Sequence, residues 1–224
     1  MTMLTDPALA LARNLMVDGQ LRPSKVNDKR ILDAMRRLPR EAYVPEALRG
    51  MAYIDEHVPL GGGRALLKPL VMARLVQLAR PRAGEAALVV GAGTGYGAAL
   101  LRACGVHVTA LEEDAALLAM ARAAPADAEA AGSVSFVAGR LSAGHAAGAP
   151  YDLVLIEGAV REIPAAIGAQ VGAHGRLVCV LCQDGGTGVA VLAEPSVGGL
   201  RAQAEFDASA PFLPGLAGAA VFSF

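Results

Sequence analysis

The sequence predicts an α/β fold with a doubly wound, mostly parallel sheet, an N-terminal helical layer and an antiparallel C-terminal edge. Residues 86–102, AALVVGAGTGYGAALLR, contain an apolar run without polar alternation, then a glycine loop, then the start of an apolar helix. Strand and helix patterns continue to alternate downstream of this stretch, as they do in parallel sheets. After residue 184 the alternation gives way to strand-like pieces joined by turns that contain Gly or Pro, which indicates antiparallel strands.

The individual elements can be assigned in chain order. Helical spacing of apolar residues predicts helices at 6–19, 27–38, 70–79, from 98 onward, at 115–124 and at 162–171. Apolar or β-branched runs predict core strands at 87–90, 106–111, 133–138, 152–156 and 177–181, and later strands at 188–192, 202–206 and 219–224. Residues 52–69 show neither pattern and form a long loop with three consecutive glycines, and a loop of that length usually has a function.

The composition limits the class of protein. A chain of 224 residues with 54% hydrophobic and 18% charged residues fits a single domain, 1–224. We expect the helical layer and the long loop in 1–80, a cofactor-binding core in 81–184 and the C-terminal strands in 185–224. The net charge of −1 and the lack of a Lys/Arg block argue against a nucleic-acid partner. Residues 7–16 are apolar but interrupted by Arg13 and Asn14, so they predict neither a signal peptide nor a membrane span, and we expect a cytoplasmic protein.

The cysteines and histidines predict neither a redox centre nor a metal site. Cys179 and Cys182 form a C-V-L-C pair within or beside a predicted strand, where residues three apart point to opposite faces. We therefore expect buried, inert thiols. The four histidines lack the spacing of metal ligands.

The glycine loop is the first candidate binding site. Gly91, Gly93 and Gly95 allow a sharp turn and leave no Cβ atom in the way of a ligand, so the loop, with Ala92 and Thr94, predicts a site for a nucleotide-like cofactor. A dinucleotide pattern is met only in a displaced frame that starts at Gly93. The G-x-G-x-G spacing instead resembles that of S-adenosylmethionine methyltransferases. The alternative is a tight strand-to-helix turn that binds nothing.

Two acids follow predicted core strands. Glu112 comes after the strand next to the glycine loop, where a carboxylate can accept both ribose hydroxyls of an adenosine. The alternative is that Glu112, Glu113 and Asp114 cap the helix at 115–124, as is expected of Asp114 in either case. Glu157 follows a later core strand and could face the methionine amine of the cofactor or a substrate; the alternative is a cap for the helix near Glu162.

Several stretches together resemble the protein-L-isoaspartate (D-aspartate) O-methyltransferase family. They are MVDGQL at 16–21, MRRLPREAYVP at 35–45, AYIDEHVPLGGG at 52–63, the glycine loop, and YDLVLIEGAVREIPAAIGAQVGAHGRLV at 151–178, in the order and spacing of that family. The resemblance implies a Rossmann-like methyltransferase fold and S-adenosylmethionine as cofactor. It also implies carboxyl methylation of isoaspartyl residues, a repair reaction on a protein or peptide substrate.

Three positions depart from the family pattern. Leu67 stands where the substrate-loop serine of the family would be, and Val89 replaces an acid that precedes the glycine loop. The Gly-Asp-Gly of the family reads Gly139, Arg140 and Leu141 here, and an arginine cannot accept a hydrogen bond from the adenine amino group. The departures therefore fall on the substrate loop and on two of the cofactor contacts that the resemblance implies.

The implied chemistry needs alignment more than acid–base groups. A substrate carboxylate with a pKa of about 4 is ionised at neutral pH, so no general base is required. It does need a donor, and with the loop hydroxyls absent the candidates are Arg64 and Lys68. Both could instead be solvated loop charges, and His57 and Asp55 of the same loop have the same two interpretations.

Two other functions remain compatible with the sequence. A non-catalytic protein could keep the methyltransferase fold and bind a nucleotide or a protein partner, because the three departures all fall on chemical positions. An NAD(P) oxidoreductase is supported only by the displaced glycine frame.

Overall fold

The N-terminal third of the chain forms a helical layer with a small hairpin. The structure is a computed structural model that describes residues 6–125, 127, 129–183 and 187–216. The layer contains α1 (Pro7–Met16), α2 (Lys29–Arg37), the antiparallel pair β1 (Val58–Gly61) and β2 (Arg64–Leu66), and α3 (Pro69–Ala79). Asp6 and Asp28 cap α1 and α2 by accepting hydrogen bonds from the backbone two residues ahead.

The rest of the described chain builds a seven-stranded sheet. Its elements are β3 (Ala86–Val90), α4 (Tyr96–Ala103), β4 (His107–Glu112), α5 (Ala115–Ala123), β5 (Ser133–Ala138), β6 (Tyr151–Val160), α6 (Ala165–Gly168), β7 (Val171–Leu181), β8 (Val189–Ser196) and β9 (Gly199–Asp207). The strand order is β5-β4-β3-β6-β7-β8-β9. The first five are parallel and the last two antiparallel, which confirms the predicted fold class.

The central strand β3 is buried on both faces, as its unbroken apolar run predicts. Ala87 and Val89 enter the larger apolar core, which the N-terminal helices cover. Leu88 and Val90 enter a second core on the other side of the sheet. Val89 is thus a core residue.

The predictions for the long loop and for the region after β6 need correction. The loop predicted at 52–69 contains the β1–β2 hairpin. The helix predicted at 162–171 is only the single turn of α6, because Pro164 starts it and the chain enters β7 at Val171. The strand predicted at 152–156 extends to Val160, and α1 ends at Met16, where a π-helical turn replaces the predicted continuation to 19. The strand predicted at 219–224 lies outside the described residues.

The two cysteines of the C-V-L-C pair pack against opposite cores. Cys179 is fully buried in β7, and burial raises the pKa of its thiol to about 12. Cys182 follows the strand and is half-buried against the other core. Opposite faces are confirmed, whereas full burial is wrong for Cys182.

The register of the parallel strands brings three candidate residues together. Val90, the last residue of β3, pairs with Leu111 of β4 and with Ile156 of β6. The next residue on each strand is Gly91, Glu112 or Glu157. These three therefore lie side by side at the carboxyl edge, where ligands of open α/β sheets bind.

Candidate cofactor site at the carboxyl edge of the sheet

The glycine loop is tied to the end of β4. The backbone N–H groups of Gly91 and Ala92 both donate to the carbonyl oxygen of Leu111, at 3.0 and 3.1 Å. Gly91, Gly93 and Gly95 have φ values of +73°, +55° and +89°, a region that disfavours any residue with a Cβ atom. The glycines are therefore required by the turn itself, whether or not a ligand binds.

Glu112 is fully buried and accepts four hydrogen bonds. Its Oε1 accepts from Arg64 Nη1 at 2.7 Å, from the backbone of Glu113 at 2.9 Å and from the backbone of Asp114 at 3.0 Å. Its Oε2 accepts from the backbone N–H of Gly93 at 2.7 Å. Loop and acid thus meet as the sequence predicts.

Arg64 lies over this edge of the sheet. It is only 7% exposed, and besides Glu112 it donates from Nη2 to the carbonyl oxygen of Gly91 at 2.8 Å. Its guanidinium reaches the site from β2 of the hairpin. Arg64 is predicted to hold a substrate carboxylate, but in the described conformation it holds the acid expected to bind the ribose.

A segment that follows β9 closes the site from another side. Ala159 donates to the carbonyl oxygen of Pro211 at 2.8 Å, and the N–H of Leu213 donates to the carbonyl oxygen of Ala159 at 3.0 Å. The side chain of Leu213, 2% exposed, then covers Gly91 and Gly158. A Cβ atom built on Gly91 would lie 2.9 Å from Leu213 Cδ2, and one on Gly158 would lie 2.6 Å from Leu213 Cγ.

Glu157 is the second buried acid at this edge. It is 7% exposed, and its Oε1 has no hydrogen-bond partner among the described residues. Burial raises the pKa of Glu157 to about 8; the charge of Arg64 opposes this shift, and the charge of Glu112 adds to it. Glu157 points at the start of α4, where a Cβ atom on Gly97 would lie 2.0 Å from its Oε1. The structure therefore does not show it as a cap for the helix near Glu162.

Arg40 and Tyr96 form a buried polar pair where the glycine loop enters α4, and the sequence patterns do not predict it. Arg40 is fully buried, with its guanidinium 4.9 Å from the ring centroid of Tyr96. Arg40 Nη1 and the hydroxyl of Tyr96 lack hydrogen-bond partners within the described chain. The sequence gives no sign that Arg40 is buried, because the segment PREAYVP, bounded by Pro39 and Pro45, has the pattern of an ordinary turn.

The remaining candidate residues have separate positions. The hydroxyl of Thr94 donates to the carbonyl oxygen of Tyr43 at 2.6 Å, so it faces the helical layer. Leu67 is 2% exposed, and Lys68 places its Nζ 3.7 Å from Asp55 Oδ2. Gly139 donates its N–H to the carbonyl oxygen of Glu112 at 3.1 Å, whereas Arg140 is exposed after β5.

Asp114 and His57 have structural positions near the site. Asp114 accepts from the N–H groups of Ala116 and Leu117, which confirms it as the cap of α5. His57 accepts at Nδ1 from the backbone of Lys68 at 3.1 Å, and burial, together with the charge of Lys68, lowers the pKa of its imidazole. These contacts give His57 a structural role in holding the loop.

The carboxylate of Glu112 beside the glycine loop suits an adenosine, but the space at this edge does not hold one in this conformation. The cavity at the edge has no room for a single water molecule. Its lining residues are Gly63, Arg64, Ala65, Leu67, Glu157, Pro211, Phe212 and Leu213. Sites for small molecules usually enclose about 300–1,000 Å³. A cavity of about 350 Å³ opens near Tyr43 and Gly95, but neither Glu112 nor Glu157 lines it.

Two features are absent from the described part of the chain. Within it, none of the helices combines the length and apolar character needed to cross a bilayer. Nor do three or more His, Cys, Asp or Glu side chains come together there in a way that could hold a metal ion.

Comparison with known proteins gives a consistent result. Residues 12–194 match the model of the protein-L-isoaspartate(D-aspartate) O-methyltransferase family. The protein-L-isoaspartate O-methyltransferase of Methylorubrum extorquens (strain PA1) is 43% identical over 181 residues, 80% of this chain and 78% of the relative. Protein-L-isoaspartate O-methyltransferase 1 of Rhodopseudomonas palustris (strain HaA2) is 36% identical over 183 residues, 81% and 74% of the two chains.

Solved structures agree at the level of the fold. A protein-L-isoaspartate O-methyltransferase superposes with a TM-score of 0.75 at 22% identity, covering 92% of this chain and 67% of the other. A second one, from Plasmodium falciparum and in complex with S-adenosyl-L-homocysteine, gives a TM-score of 0.69 at 18% identity, covering 90% and 97%. Both likenesses support the same sheet architecture.

Proposed function

Because the chain belongs to the protein-L-isoaspartate(D-aspartate) O-methyltransferase family, we propose that it is an S-adenosylmethionine-dependent O-methyltransferase acting on a carboxylate of a protein or peptide. The membership confirms the resemblance that the sequence motifs predict. Isoaspartyl residues are the first acceptor to test, since the relatives carry that name. A cytoplasmic location and the lack of a nucleic-acid partner belong to the same proposal.

One observation carries the proposal beyond family membership. Glu112 and Gly91 are adjacent in register at the ends of neighbouring parallel strands, and Glu112 binds the N–H of Gly93 at 2.7 Å. An acid beside a glycine loop at this edge is the arrangement that receives the ribose of an adenosine. S-adenosylmethionine carries an adenosine and supplies a methyl group on a positively charged sulfur.

The residues of the acceptor side suit a carboxylate only in part. A carboxylate nucleophile needs no general base but does need a cationic or hydroxyl donor. Leu67 offers no hydroxyl, and Arg64 is engaged with Glu112. Lys68 has a partly exposed side chain and a loose contact of 3.7 Å to Asp55, so it is the donor that a substrate can recruit with the least rearrangement.

A second candidate function is a binding protein that keeps the fold without catalysis. The closed carboxyl edge and the buried Leu67 favour it. It differs from the first in one measurable property, because a binding protein forms no methyl ester.

The test combines ligand binding and product formation. Calorimetry with S-adenosylhomocysteine, with NAD as the control ligand, separates a methyltransferase site from a dinucleotide site. Radiolabelled methyl transfer to an isoaspartyl peptide, with the aspartyl peptide as control, detects the ester. We expect S-adenosylhomocysteine to bind, NAD not to bind, and label to appear on the isoaspartyl peptide. Binding without any ester would support the non-catalytic function, and binding of NAD alone would refute both.

A further inference from the structure

Two side chains from distant parts of the chain meet at Gly91. Arg64 Nη2 donates to its carbonyl oxygen at 2.8 Å, and Leu213 packs against its Cα side. Arg64 comes from the hairpin in the N-terminal layer, and Leu213 comes from the segment after the last described strand. Arg64 thus holds the carboxylate that the proposed function assigns to the ribose, and Leu213 covers the start of the glycine loop beside it.

The hydrogen-bonding capacity of Glu112 makes this overlap a competition. An ionised carboxylate has about four acceptor positions. Arg64 and the N–H groups of Glu113 and Asp114 all donate to Oε1 of Glu112, so this atom has no acceptor position left, whereas Oε2 receives only the N–H of Gly93. A ribose diol would bring two more donors. The backbone donors belong to the glycine loop and the turn into α5, so the Arg64 guanidinium is the donor that can be displaced.

The contact of Leu213 is similarly replaceable. Its segment is joined to β6 by two backbone hydrogen bonds at Ala159, at 2.8 and 3.0 Å. Those bonds form beyond the last residues that β6 pairs with β3, so releasing the segment leaves the central sheet intact. Pro211 and Pro214, on either side of Leu213, restrict how the segment can refold against the sheet.

We propose that Arg64 and Leu213 act as an internal competitor of the cofactor, so that the described conformation is closed and opens when the cofactor binds. The inference rests on the proposed function. The measured affinity then equals the intrinsic affinity reduced by the fraction of molecules that are open. Arg64 and Leu213 are thus determinants of cofactor affinity that oppose binding.

The site contains a second carboxyl group, Glu157, that can receive the displaced guanidinium. The Oε1 atom of Glu157 lacks a hydrogen-bond partner among the described residues, and the positive charge of Arg64 already acts on that carboxyl group. A move of Arg64 from Glu112 to Glu157 would favour the ionised form of Glu157, so the guanidinium stays paired while Glu112 is freed for the ribose.

The first test is binding of S-adenosylhomocysteine to the wild type, Leu213→Ala and Leu216→Ala, measured by calorimetry. Leu216 is buried in the same turn but does not line the cavity at the edge, so it controls for loss of apolar contact. We expect Leu213→Ala to bind on the order of tenfold more tightly than the wild type, because the open fraction increases. Leu216→Ala should match the wild type.

The second test uses the unaltered protein and does not depend on the folding of a variant. Amide hydrogen exchange is followed at Ala159 and Leu213, whose N–H groups hold the segment in place. Ligands usually slow exchange at their site, whereas this proposal expects faster exchange at both amides when S-adenosylhomocysteine saturates the protein. The amide of Leu88, in the middle of the central strand, is the internal reference.

The outcomes separate this inference from the proposed function. Wild-type binding that Leu213→Ala leaves unchanged or weakens, with slower exchange at Ala159 and Leu213, would overturn the competition and leave the methyltransferase function standing. Lack of binding by the wild type and by both variants would refute the proposed function, and the competition with it. Tighter binding by Leu213→Ala supports the competition even if no methyl ester forms.

Discussion

Glu112 and Glu157 are neighbours at the same sheet edge, yet their surroundings are opposite. Glu112 ends β4, and the turn into α5 provides the free N–H groups of Glu113 and Asp114. Glu157 lies within β6, which continues to Val160, so no turn follows it, and the N–H of Ala159 donates to the carbonyl oxygen of Pro211 instead. The carboxylate at the end of β4 is therefore hydrogen-bonded by the turn that follows it. The carboxyl group within β6 has no such turn, and its Oε1 has no hydrogen-bond partner among the described residues.

The largest expected effect concerns Glu112, the carboxylate that accepts four hydrogen bonds. In Glu112→Gln, Arg64 remains buried without its anionic partner, and removal of one member of a buried pair costs about 3–5 kcal/mol of unfolding free energy. Urea unfolding at pH 7 measures the loss. The double variant Glu112→Gln with Arg64→Met is the control, and it should regain much of the stability because the buried charge is gone. A single variant as stable as the wild type would show that the pair does not hold the edge closed.

The next effect is the pH dependence of stability that Glu157, the carboxyl group with an unpartnered oxygen, is expected to cause. The pKa of Glu157 is raised from 4.5 to about 8 in the folded protein, so the folded state binds more protons than the unfolded state between these values. Its contribution is fully present below pH 4.5 and is lost as the pH rises through about 8, by at most about 1.4 kcal/mol per pH unit. We expect the wild type to lose about 2–4 kcal/mol relative to Glu157→Gln between pH 5 and pH 8.

The comparison with Glu157→Gln isolates this one group. His57, whose pKa is lowered, changes stability with the opposite sign below pH 6.5, but it is present in both proteins and cancels. Unfolding free energies from urea titrations at four pH values suffice. Parallel pH profiles of the two proteins would contradict a neutral, buried Glu157 at pH 7.

A smaller effect tests the contact between Glu157 and α4. An alanine Cβ at Gly97 would lie 2.0 Å from Glu157 Oε1 and 2.6 Å from its Cδ, so Gly97→Ala should cost about 1–3 kcal/mol through overpacking. The same substitution in a Glu157→Ala background should cost little. A double-mutant cycle of urea unfolding gives the coupling energy. An equal cost in both backgrounds would indicate that helix propensity or a neighbour other than Glu157 sets it.

The order of the elements and the two acids were accessible from the sequence, whereas the closed state of the site was not. The apolar run before Gly91 and the acid after the next strand are local patterns, and parallel pairing fixes their adjacency. The position of Leu213 depends on the end of β6 that extends beyond its pairing with β3, and that of Arg64 depends on a hairpin of two short strands. Such contacts join residues far apart in sequence and leave no periodic signal. The only local signal at Leu213 is its place in the short stretch PFLP, between Pro211 and Pro214.

The smallest expected effect on stability concerns Lys68, and it contrasts with Arg64 of the same loop. The Nζ of Lys68 lies 3.7 Å from Asp55, and the two side chains are 26% and 36% exposed, so Lys68→Ala should change the unfolding free energy by less than about 1 kcal/mol. If Lys68 recruits the substrate carboxylate, loss of a charged hydrogen bond of about 1.5–3 kcal/mol should lower kcat/KM on an isoaspartyl peptide roughly tenfold to a hundredfold. Lys68→Arg should retain most of the activity, and Lys29→Ala, an exposed lysine on α2, controls for net charge. Unchanged kcat/KM in Lys68→Ala would contradict the assignment and would leave Arg64, once released from Glu112, as the donor to the substrate.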